Sequence, residues 1–390
     1  MRFDRLVADM ERANRHPDRT VRGVLRAGKQ PGTADMTLKV AERFPQHIRA
    51  SLDNQGTRLI GRNRYGIGYS NSNLLGREDE FNGKVILGRR LRAVGVDYQV
   101  PLNRLLTSLD VGFSHTEAKP TKEFEDLGVA GLSSSYSISL LQPFYLPRRW
   151  LLEIETGYDH RSVITKLGGN ELTRDELRVW KTGTSLRVRT KHGTTVWTND
   201  LRLGIPHLFG GAAVKQERFS RTSAGGRFAK WGVGLLRIQK LPLQSTAVFN
   251  FQAQVTAHKL PTSERFFLGG ATTVRGYPEG EYLGENAILM STELLVPAFL
   301  IPDRLKAPFS EHLLKEDLQM IGFADMGKGW LKETIPGVED GRDLFGLGAG
   351  FRIRLFNRTF ARFEWGVPLG DKSSDKRHYA FHFTISAEAF

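Results

Sequence analysis

Residues 344–355 read Leu-Phe-Gly-Leu-Gly-Ala-Gly-Phe-Arg-Ile-Arg-Leu. Phe345, Leu347, Ala349, Phe351, Ile353 and Leu355 are apolar, and Gly346, Gly348, Gly350, Arg352 and Arg354 stand between them. Successive side chains of a β-strand point to opposite faces, so this segment is a strand with one apolar and one polar face. The glycines are two apart, which is not the spacing of a dinucleotide-binding loop. They share a strand face, where they leave room for another segment to approach.

The same alternation recurs along the chain. In 377–388, Tyr379, Phe381, Phe383 and Ile385 oppose His378, His382, Thr384 and Glu388. In 246–256, Ala247, Phe249, Phe251, Ala253 and Val255 oppose Asn250, Gln252, Gln254 and Thr256. Segments 107–116 and 151–160 behave alike. The period predicts sixteen strands: 47–54, 62–70, 81–89, 93–100, 107–116, 132–142, 151–161, 174–189, 195–205, 228–239, 245–257, 286–296, 317–326, 344–355, 358–367 and 377–388. About 340 residues for sixteen strands is near the spacing of an outer-membrane barrel, and an even count closes antiparallel with both ends on one side. Short connections (101–106, 143–150, 190–194, 240–244, 356–357) tend to alternate with long ones (117–131, 162–173, 206–227, 258–285, 327–343, 368–376), as periplasmic turns and outer loops do. Three fit poorly: 90–92 is a short outer loop, and 71–80 and 297–316 are long inner ones. The expected fold is an all-β membrane protein, a 16-stranded antiparallel transmembrane β-barrel over 46–390. A soluble sandwich or lipocalin-like barrel also alternates, but it would not need so many strands of one length.

Composition alone points elsewhere. The chain has 390 residues, 56 Lys and Arg against 42 Asp and Glu, a net charge of +14 and no cysteine. Those numbers suit a basic soluble protein that binds nucleic acid. Periodicity overrides them. The longest apolar run, Leu294 to Ile301, is broken by Pro297 and is too short for a transmembrane helix. A barrel hides its lipid face in every second residue, so the mean hydropathy of −0.34 follows from alternation. Arg89-Arg90-Leu91-Arg92, Arg148-Arg149 and Arg187–Lys191 lie at strand ends, where they meet anionic lipid or lipopolysaccharide, or line the lumen, rather than contact nucleic acid. Arg187 and Arg189, two apart, fit lumen lining.

Chemistry is scarce. The absence of cysteine removes disulfides, thiolate nucleophiles and cysteine zinc sites. There is no G-x-S-x-G, no H-E-x-x-H and no G-x-x-x-x-G-K-[ST]. Ten histidines are scattered, with His115, His160, His192 and His207 near strand ends. The expectation is no enzyme, no cofactor and no metal.

Ahead of the barrel, Phe3, Leu6, Met10 and Ala13 mark one face of a short helix over 1–13. Residues 14–18 form a turn, 20–27 and 35–40 form two strands, and Pro45 closes the unit. It has the look of the end of a domain.

The stretch Glu264-Arg265-Phe266-Phe267-Leu268-Gly269-Gly270-Ala271-Thr272-Thr273-Val274-Arg275-Gly276-Tyr277 resembles the long sixth loop of the outer-membrane assembly and secretion superfamily, whose signature is V/I-R-G-F/Y. It falls between the eleventh and twelfth predicted strands, where that superfamily keeps this loop. Ser51 to Thr57 and Asn73-Leu74-Leu75-Gly76-Arg77-Glu78-Asp79 resemble the barrel start of two-partner secretion transporters (TpsB; the ShlB/FhaC/HecB group). Val21–Lys39, with Leu25-Arg26-Ala27-Gly28 and Pro31-Gly32-Thr33-Ala34-Asp35, resembles the last strands of their second POTRA domain.

The resemblance implies a bacterial outer-membrane pore. Residues 1–45 would be the C-terminal part of a POTRA domain, truncated relative to members that begin with a signal peptide, a plug helix and two such domains. A large secreted exoprotein (TpsA-like, haemolysin or adhesin-like), captured through its N-terminal secretion domain, would cross a monomeric barrel from periplasm to cell surface. Capture by strand addition would fall on the 35–40 edge, with Asp35, Thr37 and Lys39. In the family the loop-tip arginine binds an aspartate of an F-x-D-x-G motif on the barrel wall. Phe323-Ala324-Asp325-Met326-Gly327 matches, so Val274, Arg275, Gly276 and Tyr277 are expected against Asp325, Phe323 and Gly327. Glu293, Gly346, Gly348 and Gly350 are expected on the same lumen wall. An outer-membrane protein insertase of the same superfamily, a passive porin and the barrel half of a fused surface enzyme stand as alternatives. Phe390 is out of phase with Phe381, Phe383 and Ile385, unlike the lipid-facing aromatic that ends many such barrels.

Overall fold

A computed structural model describes the chain except for residues 1–5, 7, 8, 11, 31, 147, 148, 215–217, 222, 223, 300, 303–313, 334–338, 356, 357 and 390. The expectations for Phe3, Arg148, the 356–357 turn and the phase of Phe390 lie outside the described residues.

Leu6, Asp9, Met10, Arg12 and Ala13 are helical, followed by a hairpin of β1 (Arg19–Ala27) and β2 (Ala34–Glu42). The first half of the barrel runs through β3 (Gln46–Asp53), β4 (Arg64–Asn71), β5 (Glu80–Gly88), β6 (Leu91–Pro101), β7 (Ser108–Ala118), β8 (Ala130–Leu146), β9 (Trp150–Leu167) and β10 (Asn170–Thr190). Next come β11 (Gly193–Gly204), β12 (Phe228–Lys240) and β13 (Thr246–Thr256). Two short strands, β14 (Phe266–Leu268) and β15 (Tyr282–Gly284), pair with each other inside the long loop. The wall resumes with β16 (Asn286–Pro297), β17 (Leu318–Trp330), β18 (Gly341–Leu355), β19 (Thr359–Pro368) and β20 (Ala380–Ala389). The sixteen wall strands form one closed antiparallel barrel in which β20 returns to β3. Each of the sixteen matches a segment marked by alternation.

Closure explains how a polar chain sits in a bilayer. Every wall strand is paired on both edges, so no backbone edge meets hydrocarbon. Tyr65, Ile67, Val85, Ile138, Trp180, Trp197, Trp231, Met320, Leu347 and Trp365 are exposed on the outside. An apolar belt of that extent is stable only against lipid. The alternate residues face the lumen, among them Ser133, Ser135, Ser137 and Ser139 of β8 and Arg352 and Arg354 of β18.

Two expectations need correction. Residues 162–173 are not a long outer loop. β9 and β10 run on as a paired hairpin to Leu167 and Asn170, leaving Gly168 and Gly169, with φ of 56° and 85°, as a two-residue turn. Arg174 and Glu171 pair there at 2.5 Å on the exposed face. The loop expected over 327–343 is also shorter, because β17 and β18 continue to Trp330 and Gly341.

At the end that carries both termini, the hairpin is tied to the barrel by side chains. Asp18 accepts from the Ser72 hydroxyl at 2.6 Å and lies 3.0 Å from His47 Nε2, and Arg19 pairs with Glu78 at 2.6 Å. The turn between β4 and β5 is long because Asp79 organises it. Leu75 N–H donates to its carboxylate at 3.0 Å and Arg77 N–H at 3.2 Å. Burial alone would raise the Asp79 pKa; these backbone donors and Tyr98 hold it below the usual carboxylate value. A depressed folded pKa gives stability that is present at neutral pH and lost as pH falls through the folded value. The turn is therefore expected to open below about pH 4, the ordinary carboxylate range. Limited proteolysis against pH should show cleavage within 72–79 rising there. Asp79→Asn should be cleaved at neutral pH, without the acid dependence.

Candidate functional site: the lumenal seat of the long loop

Residues 257–285 leave β13, fold into the barrel and return to β16. Apolar packing holds the stalk. Leu268, Val274, Tyr277 and Tyr282 of the loop are buried against Ala287, Leu289 and Leu344 of the wall. Each large apolar side chain so buried contributes about 1.5–3 kcal/mol. Buried carboxylates fix the stalk's orientation. Glu264 binds Arg161 at 2.6 Å and Lys230 at 2.9 Å. Glu285 pairs with Arg221 and accepts from Leu260 N–H at 2.8 Å and Lys332 N–H at 2.6 Å. Glu281 pairs with Arg342 and accepts from Ser374 N–H at 2.8 Å.

The tip rests on the wall built by β16–β19. Register sets the geometry: Asp325 of β17 lies opposite Ser291 of β16 and Gly346 of β18, and all three face the lumen. Arg275 Nε donates to Asp325 Oδ2 at 2.7 Å and Nη2 to Oδ1 at 2.6 Å, a two-pronged pair. The Arg275 backbone N–H adds a third bond to Oδ2 at 3.0 Å. Nη1 reaches Glu364 at 2.6 Å and also bonds Glu293. The Ser291 hydroxyl donates to Asp325 Oδ1 at 2.7 Å. The guanidinium carbon sits 3.7 Å from the centre of the Phe323 ring, within cation–π range. Arg275 is 2% exposed and Asp325 is 0% exposed.

Glycine makes the seat possible. A Cβ on Gly346 would lie 1.8 Å from the Arg275 carbonyl oxygen, and one on Gly366 would lie 2.6 Å from the Gly276 nitrogen. A Cβ on Gly348 would strike the Phe323 ring at 2.3 Å, and one on Gly327 would strike Val274 at 2.7 Å. Gly350 faces Glu364, three ångströms from a Cβ placed there. Gly276 itself has φ of 106°, a region L side chains rarely adopt. Tyr277 completes the seat: its hydroxyl donates to Asp371 O at 2.9 Å and accepts from Gly370 N–H at 3.1 Å.

The structure therefore brings together Val274, Arg275, Gly276, Tyr277, Phe323, Asp325, Gly327, Glu293, Gly346 and Gly348, with Gly350 one step toward the termini. Asp35, Thr37 and Lys39 lie far from them in the chain, all exposed on β2. Sequence reasoning missed Glu364, Arg362, Gly366 and Ser291. Glu364 and Gly366 were legible in part, since they alternate with Phe363, Trp365 and Val367 on a strand already marked. Glu264, Glu281 and Glu285 flank the quoted loop motif, but nothing in their spacing names their partners.

The three wall carboxylates share two guanidinium groups, Arg275 and Arg362, and Arg362 Nη2 bonds both Glu293 and Glu364. Removing Arg275 leaves buried carboxylates without their main cation. Removing one partner of a buried pair costs about 3–5 kcal/mol, so Arg275→Ala and Asp325→Asn should each destabilise the seated loop by that order. A double-mutant cycle should show coupling well above about 1 kcal/mol; additive losses would show that the pair does not hold the tip. Arg275→Lys should recover only part, because an ammonium lacks the planar fork. Gly346→Val should unseat the tip with every charge intact, and planar-bilayer recordings should then show a larger, noisier conductance than wild type.

Comparison with known proteins places this arrangement. The family model for the haemolysin secretion/activation protein ShlB/FhaC/HecB matches residues 32–353. The heme/hemopexin transporter protein HuxB of Haemophilus influenzae is 25% identical over 351 residues, covering 84% of this chain and 57% of HuxB. The chain thus spans a little over half the length of the curated relatives it matches. CdiB from Escherichia coli superposes with a TM-score of 0.81 at 19% identity, covering 98% of this chain and 71% of CdiB. CdiB from Acinetobacter baumannii gives 0.75 at 18% identity, covering 100% and 69%. BamA from Haemophilus ducreyi lacking POTRA domains 1–3 gives 0.61 at 14% identity, covering 98% and 77%. These structures share the fold. With the family match over most of its length and a closed sixteen-stranded wall, the chain belongs to the ShlB/FhaC/HecB haemolysin secretion/activation family and resides in the bacterial outer membrane.

Proposed function

We propose that this chain is the outer-membrane pore of a two-partner secretion system, passing a large exoprotein of the haemolysin or adhesin class from periplasm to cell surface. The observation that carries the reading is the seated loop: the 257–285 segment occupies the lumen and is held there by Arg275 on Asp325, Glu293 and Glu364. A pore plugged by its own loop suits regulated passage of an unfolded chain. A passive porin keeps an open aqueous channel. HuxB, named as a heme/hemopexin transporter, supports a transport role for the family fold. Among the described residues no cluster of three or more His, Cys, Asp or Glu has metal-holding geometry.

Residues 1–45 are read as the C-terminal part of a POTRA domain. Among the described residues β2 pairs with β1 alone, which leaves its other edge open to them. Its Asp35, Thr37 and Lys39 share the polar face of the hairpin, while Met36, Leu38 and Val40 share the apolar one with Leu25. An open edge with polar side chains is a template for strand addition by an incoming secretion domain. Outward Arg and aromatic side chains at the barrel rims are read as contacts to lipid and lipopolysaccharide.

The second reading, an insertase of outer-membrane barrels, draws on the BamA-like fold and on a short closing seam. β20 and β3 share six register pairs, from Thr384 opposite Asp53 to Ala389 opposite Ile48. Deleting the gene from its own bacterium separates the two. Export predicts that one large exoprotein disappears from the medium and accumulates in the periplasm, with other barrels unaffected. General depletion of outer-membrane barrels would favour the insertase. Arg275→Ala is expected to reduce export by about tenfold or more, roughly the effect of losing one strong charge-assisted contact. Its outer-membrane level should be checked by heat-modifiable migration.

A further inference from the structure

Below the loop seat the lumen wall is rich in arginine. Arg352 of β18 lies directly opposite Arg362 of β19, and both face the lumen. Like charges side by side on a sheet are destabilising, so their retention calls for a counter-charge. Arg362 has one in Glu293 and Glu364. Among the described residues neither Arg352 nor Arg354 has a carboxylate within salt-bridge distance; Glu293 and Glu364 attract Arg352 only from farther off, and Arg354 lies 5.6 Å from the Phe360 ring. These side chains line a cavity of about 500 Å³ beneath Ala271 and Thr272 of the loop. Phe360 and Ser386 continue it into a second cavity of about 870 Å³ at the terminus-bearing end, lined by Arg43, Arg49 and Arg358. The two cavities hold two carboxylates between them, Glu364 and Glu388. Glu364 is engaged by Arg275 and Arg362, and Glu388 by Arg49 and His47.

We propose that Arg358, Arg354, Arg352 and Arg362 form a track that binds carboxylates of an extended acidic polypeptide, leading from the periplasmic mouth to the loop seat. The proposal rests on the export reading and names the chemistry of what is exported. The spacing selects a chain over a lone anion. Arg352 and Arg354 are two residues apart on a strand, about 7 Å, and an extended peptide lying along the wall repeats its own side chains at the same interval. The guanidinium forks suit carboxylates, and the enclosing wall limits screening by salt.

The test uses the full chain in detergent and a glutamate-rich peptide read by fluorescence anisotropy, with a glutamine-rich peptide of equal length as control. Wild type should bind the acidic peptide at least about tenfold tighter than the neutral one, and Arg352→Gln/Arg354→Gln should lose about tenfold or more, at least the effect of one charge-assisted contact. Lys84→Gln, on β5 and four strands round the barrel from β19, should change affinity by less than about twofold and controls for net charge. Equal binding of both peptides, or an unchanged affinity in the double variant, would overturn the track. Displacement by inorganic phosphate at the same concentration as by peptide carboxylates would also overturn it, showing a small-anion site. Secretion by the same double variant separates the two readings. If export proceeds undiminished while peptide binding is lost, the track has no part in export and the export reading stands. If wild type exports nothing yet binds the acidic peptide, the export reading falls and the binding site stands.

Discussion

A single guanidinium organises the lumen. Arg275 arrives on the loop between β13 and β16 and meets three carboxylates from three strands: Glu293, Asp325 and Glu364. Without a cation, three acids facing one another across a narrow wall would repel strongly in a poorly solvated space. With Arg275 and Arg362 present, the same acids become a socket. The wall and the loop are thus conditional on each other: the wall carries negative charge that the loop helps to neutralise, and the loop brings a guanidinium that the wall acids satisfy.

Close approach is the second half of that constraint. An arginine can reach Asp325 in two-pronged fashion only if the tip backbone lies almost on the sheet. Gly346 and Gly366 remove the side chains that would hold it off, and Gly276 turns the chain in a conformation open to glycine. The apolar stalk around Leu268, Tyr282 and Leu289 supplies the bulk of the binding, while the charges set where the tip lands. Such a division leaves the tip releasable. Disturbing the charges need not unpack the stalk.

Much of this was readable beforehand. Alternation marked all sixteen wall strands, because the side-chain period of a lipid-facing strand survives any irregularity at its ends. Arg275 and Asp325 came from a resemblance carried by Val274–Tyr277 and Phe323–Gly327, not from spacing. What escaped has physical reasons. The far end of the β9–β10 hairpin mixes apolar and polar side chains on both faces, with Val163 and Ile164 adjacent, so no period of two marked it off from a loop. β14 and β15 are three residues each, too short to show a period. Glu264, Glu281 and Glu285 act through partners more than twenty residues away or on other strands, and a lone acidic residue beside a motif announces no partner. The serine and arginine faces of the lumen were visible as the polar half of each strand, but their division into different walls depends on strand order around the closed barrel.

The central claim is that the loop tip lies inside the lumen in the native membrane. The protein lacks cysteine, so single thiols can be introduced cleanly. Ala271 of the tip and Ser386 of β20 line the same cavity. In intact cells, Ala271→Cys should resist a membrane-impermeant maleimide added outside, and Ala271→Cys/Ser386→Cys should cross-link within one chain through a short bifunctional reagent. Rapid labelling of Ala271→Cys from the cell surface, with no cross-link to position 386, would place the tip outside and contradict the account.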